Sequence, residues 1–371
     1  MGIPASVAPK QASTIYSVQI LRAVAASLVV ADHSLIHIFS VYDVPQIYHA
    51  MAWKLGGIGV MIFFVISGFV MMLTNDGKFG RTGETSRFII NRIIRIVPLY
   101  WAMTFVAAAL FIATATKDIS VSYLLKSMFF LVAVNPDSGT IMQPVLGPGW
   151  TLNYEMFFYL SFALCLALPK RLALTGFTTV MLALVLWGMN SLSSAEINDP
   201  QTIFGFYANP LLLLFVSGVW LGVIYKKFAL QQTTNISLIW MFIAVIATIA
   251  FGWMTHKSSW PVYLQPLEYV LPFLCVAIAL LCRFKPENLT ARISVLLGEA
   301  SYSIYLSHIL TLAIIRKIVP VTPLYGTLYF AIAFIGSTIT GVIIYKMIEM
   351  PLTDFCRNLI KNKRKTISLA K

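Results

Sequence analysis

The stretch SVQILRAVAASLVVADHSLIHIF places Arg22, Asp32 and His33 inside an otherwise apolar run, where ionisable groups are costly and usually functional. Arg22 and His33 are 11 residues apart, close to three helical turns, so they share one face at about 16 Å along the axis. A guanidinium can hold an anionic group. An imidazole titrates near working pH and is the natural base for a hydroxyl. Together they suit a reaction between an anionic donor at one end of the face and a hydroxyl acceptor at the other. Taken singly, each residue would fit snorkelling to a membrane interface. Asp32 projects about 100° away from His33 around the helix, so the acid that orients the imidazole is expected elsewhere. His37, one turn beyond His33, is expected at the interface.

Three further blocks carry candidate chemistry. In RFIINRIIRIVPLYW, Arg92 and Arg95 are neighbours on one helix face, where paired guanidinium forks bind phosphate; Arg87 reads as ordinary topological charge. In GPGWTLNYEMFFYL, a tight turn at Gly147, Pro148 and Gly149 precedes Trp150, and Glu155 falls within the first turns of an aromatic helix. A carboxylate there needs a partner, and its depth suggests that it orients or charge-balances His33. Trp150 and Tyr154 are expected to touch substrate. In LGEASYSIYLSH, Tyr302, Tyr305 and His308 share a face; packing accounts for the tyrosines, and His308 is a candidate substrate contact. Gly59, Ser67 and Gly68 in GGIGVMIFFVISGFVMM permit close helix packing. Glu349 and Pro351 read as a charge anchor and helix stop. No cluster of Cys and His has metal-ligand spacing; Cys165, Cys275, Cys282 and Cys356 are far apart and read as packing residues.

The elements that must position these groups are membrane helices. Hydrophobic residues make up 58% of the chain and charged residues 11%, against about 25% charged in soluble domains. The apolar residues come in runs of roughly 17 to 22, the length needed to cross a bilayer as helix. The sequence predicts an all-α, polytopic bundle with ten spans at about 17–38, 58–75, 96–115, 152–168, 172–190, 203–225, 236–254, 263–282, 301–319 and 324–346. With the amino terminus inside, 21 of the 27 Lys and Arg residues fall on the inner side; Lys54, Lys117, Lys126, Lys257, Arg316 and Lys317 fall outside. The positive-inside rule therefore puts both termini in the cytoplasm. It also accounts for the net charge of +13 without nucleic acid, since the basic residues are not gathered into one domain with interleaved aromatics. Residues 1–14 and 356–371 read as cytoplasmic tails around a membrane domain of 15–355, and no cleavable signal is expected. The outer loop 116–151 contains an apolar stretch too short to cross and is expected to be interfacial or re-entrant. No internal repeat of the kind seen in secondary transporters is present.

In this order, Arg22-x10-His33, Arg92-x-x-Arg95 and Trp150-x4-Glu155 resemble the motifs of the acyltransferase 3 family, and bacterial exopolysaccharide or O-antigen O-acetyltransferases in particular. The resemblance covers roughly residues 15 to 355. It implies a multi-pass protein of the inner (cytoplasmic) membrane that moves an acyl group, usually acetyl from acetyl-CoA, to a hydroxyl of a cell-envelope carbohydrate, which can be lipid-linked. No permanently bound cofactor is expected. The resemblance assigns His33 and Glu155 to catalysis and Arg22, Arg92 and Arg95 to the donor's phosphates. Whether His33 acts as base or transiently accepts the acetyl group stays open. Two rivals remain at this stage: a transporter or flippase of a lipid-linked saccharide, and a structural partner in an export complex.

Overall fold

The computed structural model describes residues 15–41, 44–117, 119–133, 143–193, 196–197, 200–230, 236–257, 267–319 and 326–369. The expected tail at residues 1–14 lies outside these. Among the described residues the chain is helical, with one isolated bridge between Ile236 and Cys282 and no strand. In chain order the elements are α1 (Tyr16–Phe39), α2 (Gln46–Asn75), α3 (Glu84–Ala113), α4 (Val121–Met128), a 3-10 turn (Gly147–Gly149) leading into α5 (Trp150–Leu166), and α6 (Lys170–Ser191). They continue as α7 (Ile203–Tyr207), α8 (Leu211–Lys227), α9 (Leu238–Lys257), α10 (Leu267–Leu281), α11 (Leu289–Glu299), α12 (Ser301–Ile318) and α13 (Gly326–Ile344). A π-helical turn (Tyr345–Glu349) then leads into α14 (Met350–Leu369).

The expected spans overlie α1, α2, α3, α5, α6, α9, α10, α12 and α13, and the one at 203–225 divides between α7 and α8; residues 263–266 and 324–325 lie outside the described ones. Among the described residues seven are long and apolar enough to cross a membrane, and α11 with α12, bent by 74°, would make an eighth. The spans at α5 and α10 are shorter, with 17 and 15 residues, about 25 and 22 Å of helix. The apolar stretch in loop 116–151 forms α4, fastened under α3 by Tyr100 Oη donating to the Ser127 carbonyl (3.1 Å) and Trp101 Nε1 to the Met128 carbonyl (2.8 Å); residues 134–142 lie outside the described segment.

One boundary differs from the sequence reading. Pro351 does not stop the last span, because the chain continues through the π turn into α14. A proline inside a continuous helix gives up one backbone hydrogen bond and crowds the preceding turn, and here a wider π turn, Tyr345–Glu349, stands immediately before it.

The packing that builds the site centres on α2, held between α1 and α8. Gly68 of α2 lies against the Phe215 carbonyl of α8, and Gly218 of α8 lies against the Val65 carbonyl of α2; a Cβ at either position would collide with backbone. Such small-residue contact is what association between apolar helices relies on when lipid supplies no hydrophobic drive. Gly59 likewise abuts the Ala25 carbonyl of α1 at 2.5 Å from where a Cβ would stand. At one end of the bundle the ends of α2, α6 and α8 are tied together by Asp76, which accepts from Lys170 (2.6 Å) and pairs with Lys226 (3.2 Å). Burial pushes the Asp76 carboxyl up, but the two ammonium groups outweigh it and hold the group below the usual range. At the other end Lys54 donates to Glu268 at 2.7 Å.

Candidate active site

A cavity opens between α1, α2, α3, α5 and α12. Its polar lining is Arg22 and Gln19 from α1, Ser67 from α2, Arg92 and Arg95 from α3, Thr151, Glu155 and Tyr159 from α5, and Ser301, Tyr302 and Tyr305 from α12; its walls are otherwise apolar. The helices bring these groups together from five separate stretches of sequence. Arg22 donates to Gln19 at 3.0 Å and has Arg95, Glu349 and Glu155 as its charged neighbours. Arg92 lies over the rings of Phe88 and Tyr159, 5.3 and 5.2 Å from their centroids, a cation–π seating that fixes the guanidinium plane. Glu155 accepts from Ser67 at 2.9 Å and from Tyr159.

A second cavity shares Arg92 and Arg95 with the first. It is lined by Lys78, Glu84, Arg87, Asn91, Arg92, Arg95 and Arg357, with Thr74, Asn75 and Phe88. Five cationic residues against a single acid, which is itself paired to Arg87 at 2.5 Å, give this mouth a positive field. Arg87 and Arg357 thus serve this mouth, and α14 carries Arg357 to it only because the helix continues past Pro351.

His33 does not line either cavity. It lies further along α1, where α12 runs beside it, and its ring meets His308 at 4.9 Å with the planes at 72°. Tyr305 connects the two regions: its ring lines the first cavity and lies 6.0 Å from His308, and its hydroxyl is held by Thr151 (2.9 Å) and the Pro148 carbonyl (3.1 Å). His33 Nδ1 is 3.0 Å from the Val29 carbonyl and 3.2 Å from Asp32 Oδ2. A carbonyl only accepts, so Nδ1 carries the proton and Nε2 presents a lone pair. That is the tautomer a general base requires.

The structure corrects three expectations about these residues. The carboxylate beside His33 is Asp32, not Glu155. The imidazole folds back along the helix to bond Val29, one turn below, and this brings Nδ1 over its sequence neighbour; Asp32 is itself buried against Gly56. Glu155 instead balances the arginine cavity. Tyr154 is fully buried, stacked on Phe206 at 4.1 Å and donating to the Phe206 carbonyl at 2.6 Å, so it packs the bundle and lines neither cavity. Trp150 is half-buried at the start of α5, 6.0 Å from that same ring, and lines neither cavity. Arg22, Arg92 and Arg95 line one cavity, and His37 turns to Tyr329, 3.2 Å away.

Glu349 belongs to the site although the sequence reading made it only an anchor. It accepts from Ser303 at 2.6 Å and faces Arg95 and Arg22. An acid one turn from the end of an apolar run was visible in sequence, but its partners were not, because the π turn sets its direction. Such turns recur at functional sites.

A cationic mouth, a basic cavity and a histidine of fixed tautomer thus lie together among helices of membrane-crossing length. A model of the acyltransferase 3 family, described as an acyltransferase domain, matches residues 15–346. The chain belongs to this family and is a multi-pass membrane O-acyltransferase. It is similar to the exopolysaccharide production protein ExoZ of Rhizobium meliloti (strain 1021), with 31% identity over 302 residues that make up 81% of this chain and 90% of that protein. No solved structure matches the chain.

Proposed function

We propose that the protein transfers an acetyl group from cytoplasmic acetyl-CoA to a hydroxyl of a cell-envelope saccharide in the inner membrane, exopolysaccharide being the class that the relative's name favours over O-antigen. The observation that carries this reading is the sharing of Arg92 and Arg95 between the cationic mouth and the inner cavity. A nucleotide with several phosphates would be held at the mouth by Lys78, Arg87, Arg92, Arg95 and Arg357. Its uncharged arm would lie among Val60, Phe63, Phe64 and Ile66. The face of α1 then spans the remaining distance, about 16 Å from Arg22 to His33.

In the reaction, His33 Nε2 takes the proton of the acceptor hydroxyl as its oxygen attacks the thioester carbonyl. The tetrahedral adduct collapses, the C–S bond breaks, and the departing thiolate takes the proton from the imidazolium. The Val29 carbonyl holds Nδ1–H, and Asp32, 3.2 Å from the same nitrogen, would stabilise the imidazolium by its charge while it exists. Glu155 and Glu349 keep the arginine cluster from being an uncompensated buried charge.

The test is transfer of radiolabelled acetyl from acetyl-CoA to saccharide in membranes of cells lacking the gene, on addition of the purified full-length protein. His33→Ala is expected to abolish transfer while membrane insertion and acetyl-CoA binding persist. Retained transfer by that variant would remove His33 from the chemistry, and a saccharide moved across the membrane without gaining acetyl would favour a transporter.

A further inference from the structure

Beyond His33 the structure holds polar groups that the donor side of the reaction does not use. His308 is completely buried, its Nδ1 is 2.6 Å from the Tyr305 carbonyl, and its Nε2 has no partner. The carbonyl again fixes the tautomer: Nδ1 carries the proton and Nε2 is a lone pair. Two imidazoles in ring contact, at 4.9 Å, therefore both present acceptors and no donor. A buried acceptor left unpaired is costly, so this pair suits a ligand that brings hydrogen-bond donors to it.

The surroundings narrow the ligand further. Trp53 of α2 is 58% exposed, and its ring lies edge-on to His33 at 6.1 Å. The neighbouring cation, Lys54, is neutralised by Glu268 at 2.7 Å, and Glu268 also accepts from Thr255 at 2.7 Å. Around His33 and His308 the bundle thus offers a flat aromatic surface and two lone pairs, with Lys54 neutralised, while Arg316 of α12 stands against His37 and Tyr329. Two lone pairs beside an indole suit a hydroxyl-rich ring that donates to them.

We infer that Trp53 and His308 form, with His33, the acceptor subsite for a saccharide: the indole carries a face of the sugar ring, and His308 Nε2 accepts from one of its hydroxyls while His33 activates the hydroxyl to be acylated. This rests on the acyl-transfer reading and adds to it where the acceptor binds and which residues recognise it.

The experiment varies acetyl-CoA and acceptor separately, using full-length protein in nanodiscs, radiolabelled acetyl-CoA, and increasing amounts of membranes from cells lacking the gene. Trp53→Ala is expected to raise the acceptor KM about tenfold, the loss of roughly one good contact, with the KM for acetyl-CoA unchanged; Trp53→Phe, which keeps a ring, recovers most of it. His308→Leu is expected to lower kcat/KM for the acceptor about tenfold to a hundredfold. His308→Gln, whose amide oxygen can accept in place of Nε2, recovers part. Thermal protection by acetyl-CoA certifies that each variant is folded; where His308→Leu loses it, the Gln variant and the Trp53 pair decide. The proposal is overturned by an unchanged acceptor KM in Trp53→Ala, as for a tryptophan that merely marks the membrane interface, or by changes confined to acetyl-CoA. Wild-type protein that transfers no acetyl at all overturns the acyl-transfer reading itself, and the subsite with it.

Discussion

Substitution of Gly56 by alanine tests the support behind His33 without touching any reacting group. A Cβ at position 56 would stand 2.9 Å from Asp32 Cγ and 3.2 Å from its Cβ, and closer to Oδ2. Ordinary contact between carbons begins near about 3.5 Å, so Asp32 must retreat by about 0.6 Å or more. Its Oδ2 is 3.2 Å from His33 Nδ1, and a displacement away from the ring lengthens this pair towards the roughly 4 Å limit of an ion pair. The Val29 carbonyl still fixes the tautomer, which keeps the loss well below the roughly 10,000-fold that accompanies a wrong tautomer in a Ser-His-Asp triad. A misplacement of about 1 Å can cost 100-fold, so this smaller shift is expected to lower kcat roughly tenfold, and the overpacking costs about 1–3 kcal/mol of stability. Gly57 is the internal control: a Cβ there meets nothing within 4 Å, so Gly57→Ala should match the wild type. The assay is acetyl transfer with acetyl-CoA titrated in parallel, and the donor KM should stay fixed in both variants. The double variant Gly56→Ala/Asp32→Ala should regain thermal stability but not kcat. A folded Gly56→Ala protein with wild-type kcat would refute the claim that Asp32 orients the histidine.

Other outcomes follow from the same geometry. Arg92→Ala and Arg95→Ala should each raise the KM for acetyl-CoA about 10- to 100-fold, the range for losing a charged hydrogen bond, and the wild-type donor KM should climb with added salt. Tyr154→Phe should leave both KM values unchanged and cost about 1–3 kcal/mol by orphaning the buried Phe206 carbonyl, read by thermal unfolding; a raised KM would return Tyr154 to the substrate. The Asp76 carboxyl is depressed in the folded protein, so its stabilising contribution is fully present above the ordinary aspartate range, near about 3.9, and is lost as pH falls through the folded value. Thermal unfolding across that acid range should therefore fall less steeply for Asp76→Asn than for the wild type.

The sequence by itself determined what is local. Run length and composition required membrane helices, because the bilayer leaves the backbone no other way to satisfy its hydrogen bonds. Helical periodicity put Arg22 and His33 on one face and Arg92 beside Arg95, since residues within one helix have a fixed relation. The family motifs named the enzyme class for the same reason: they are short patterns on single helices. Only the tertiary structure decided the partners. Asp32 was misread because the periodicity of Cα positions says nothing of an imidazole that folds back to bond the turn below it. Glu155 and Tyr154 sit on one helix near each other, yet one lines the arginine cavity and the other is sealed against Phe206. That difference lies in which neighbouring helix each faces. The meeting of His33 with His308, 275 positions further along the chain, and of Arg22 with Glu349 depends on how α1, α12 and the π turn pack, and no pattern within a single helix encodes it.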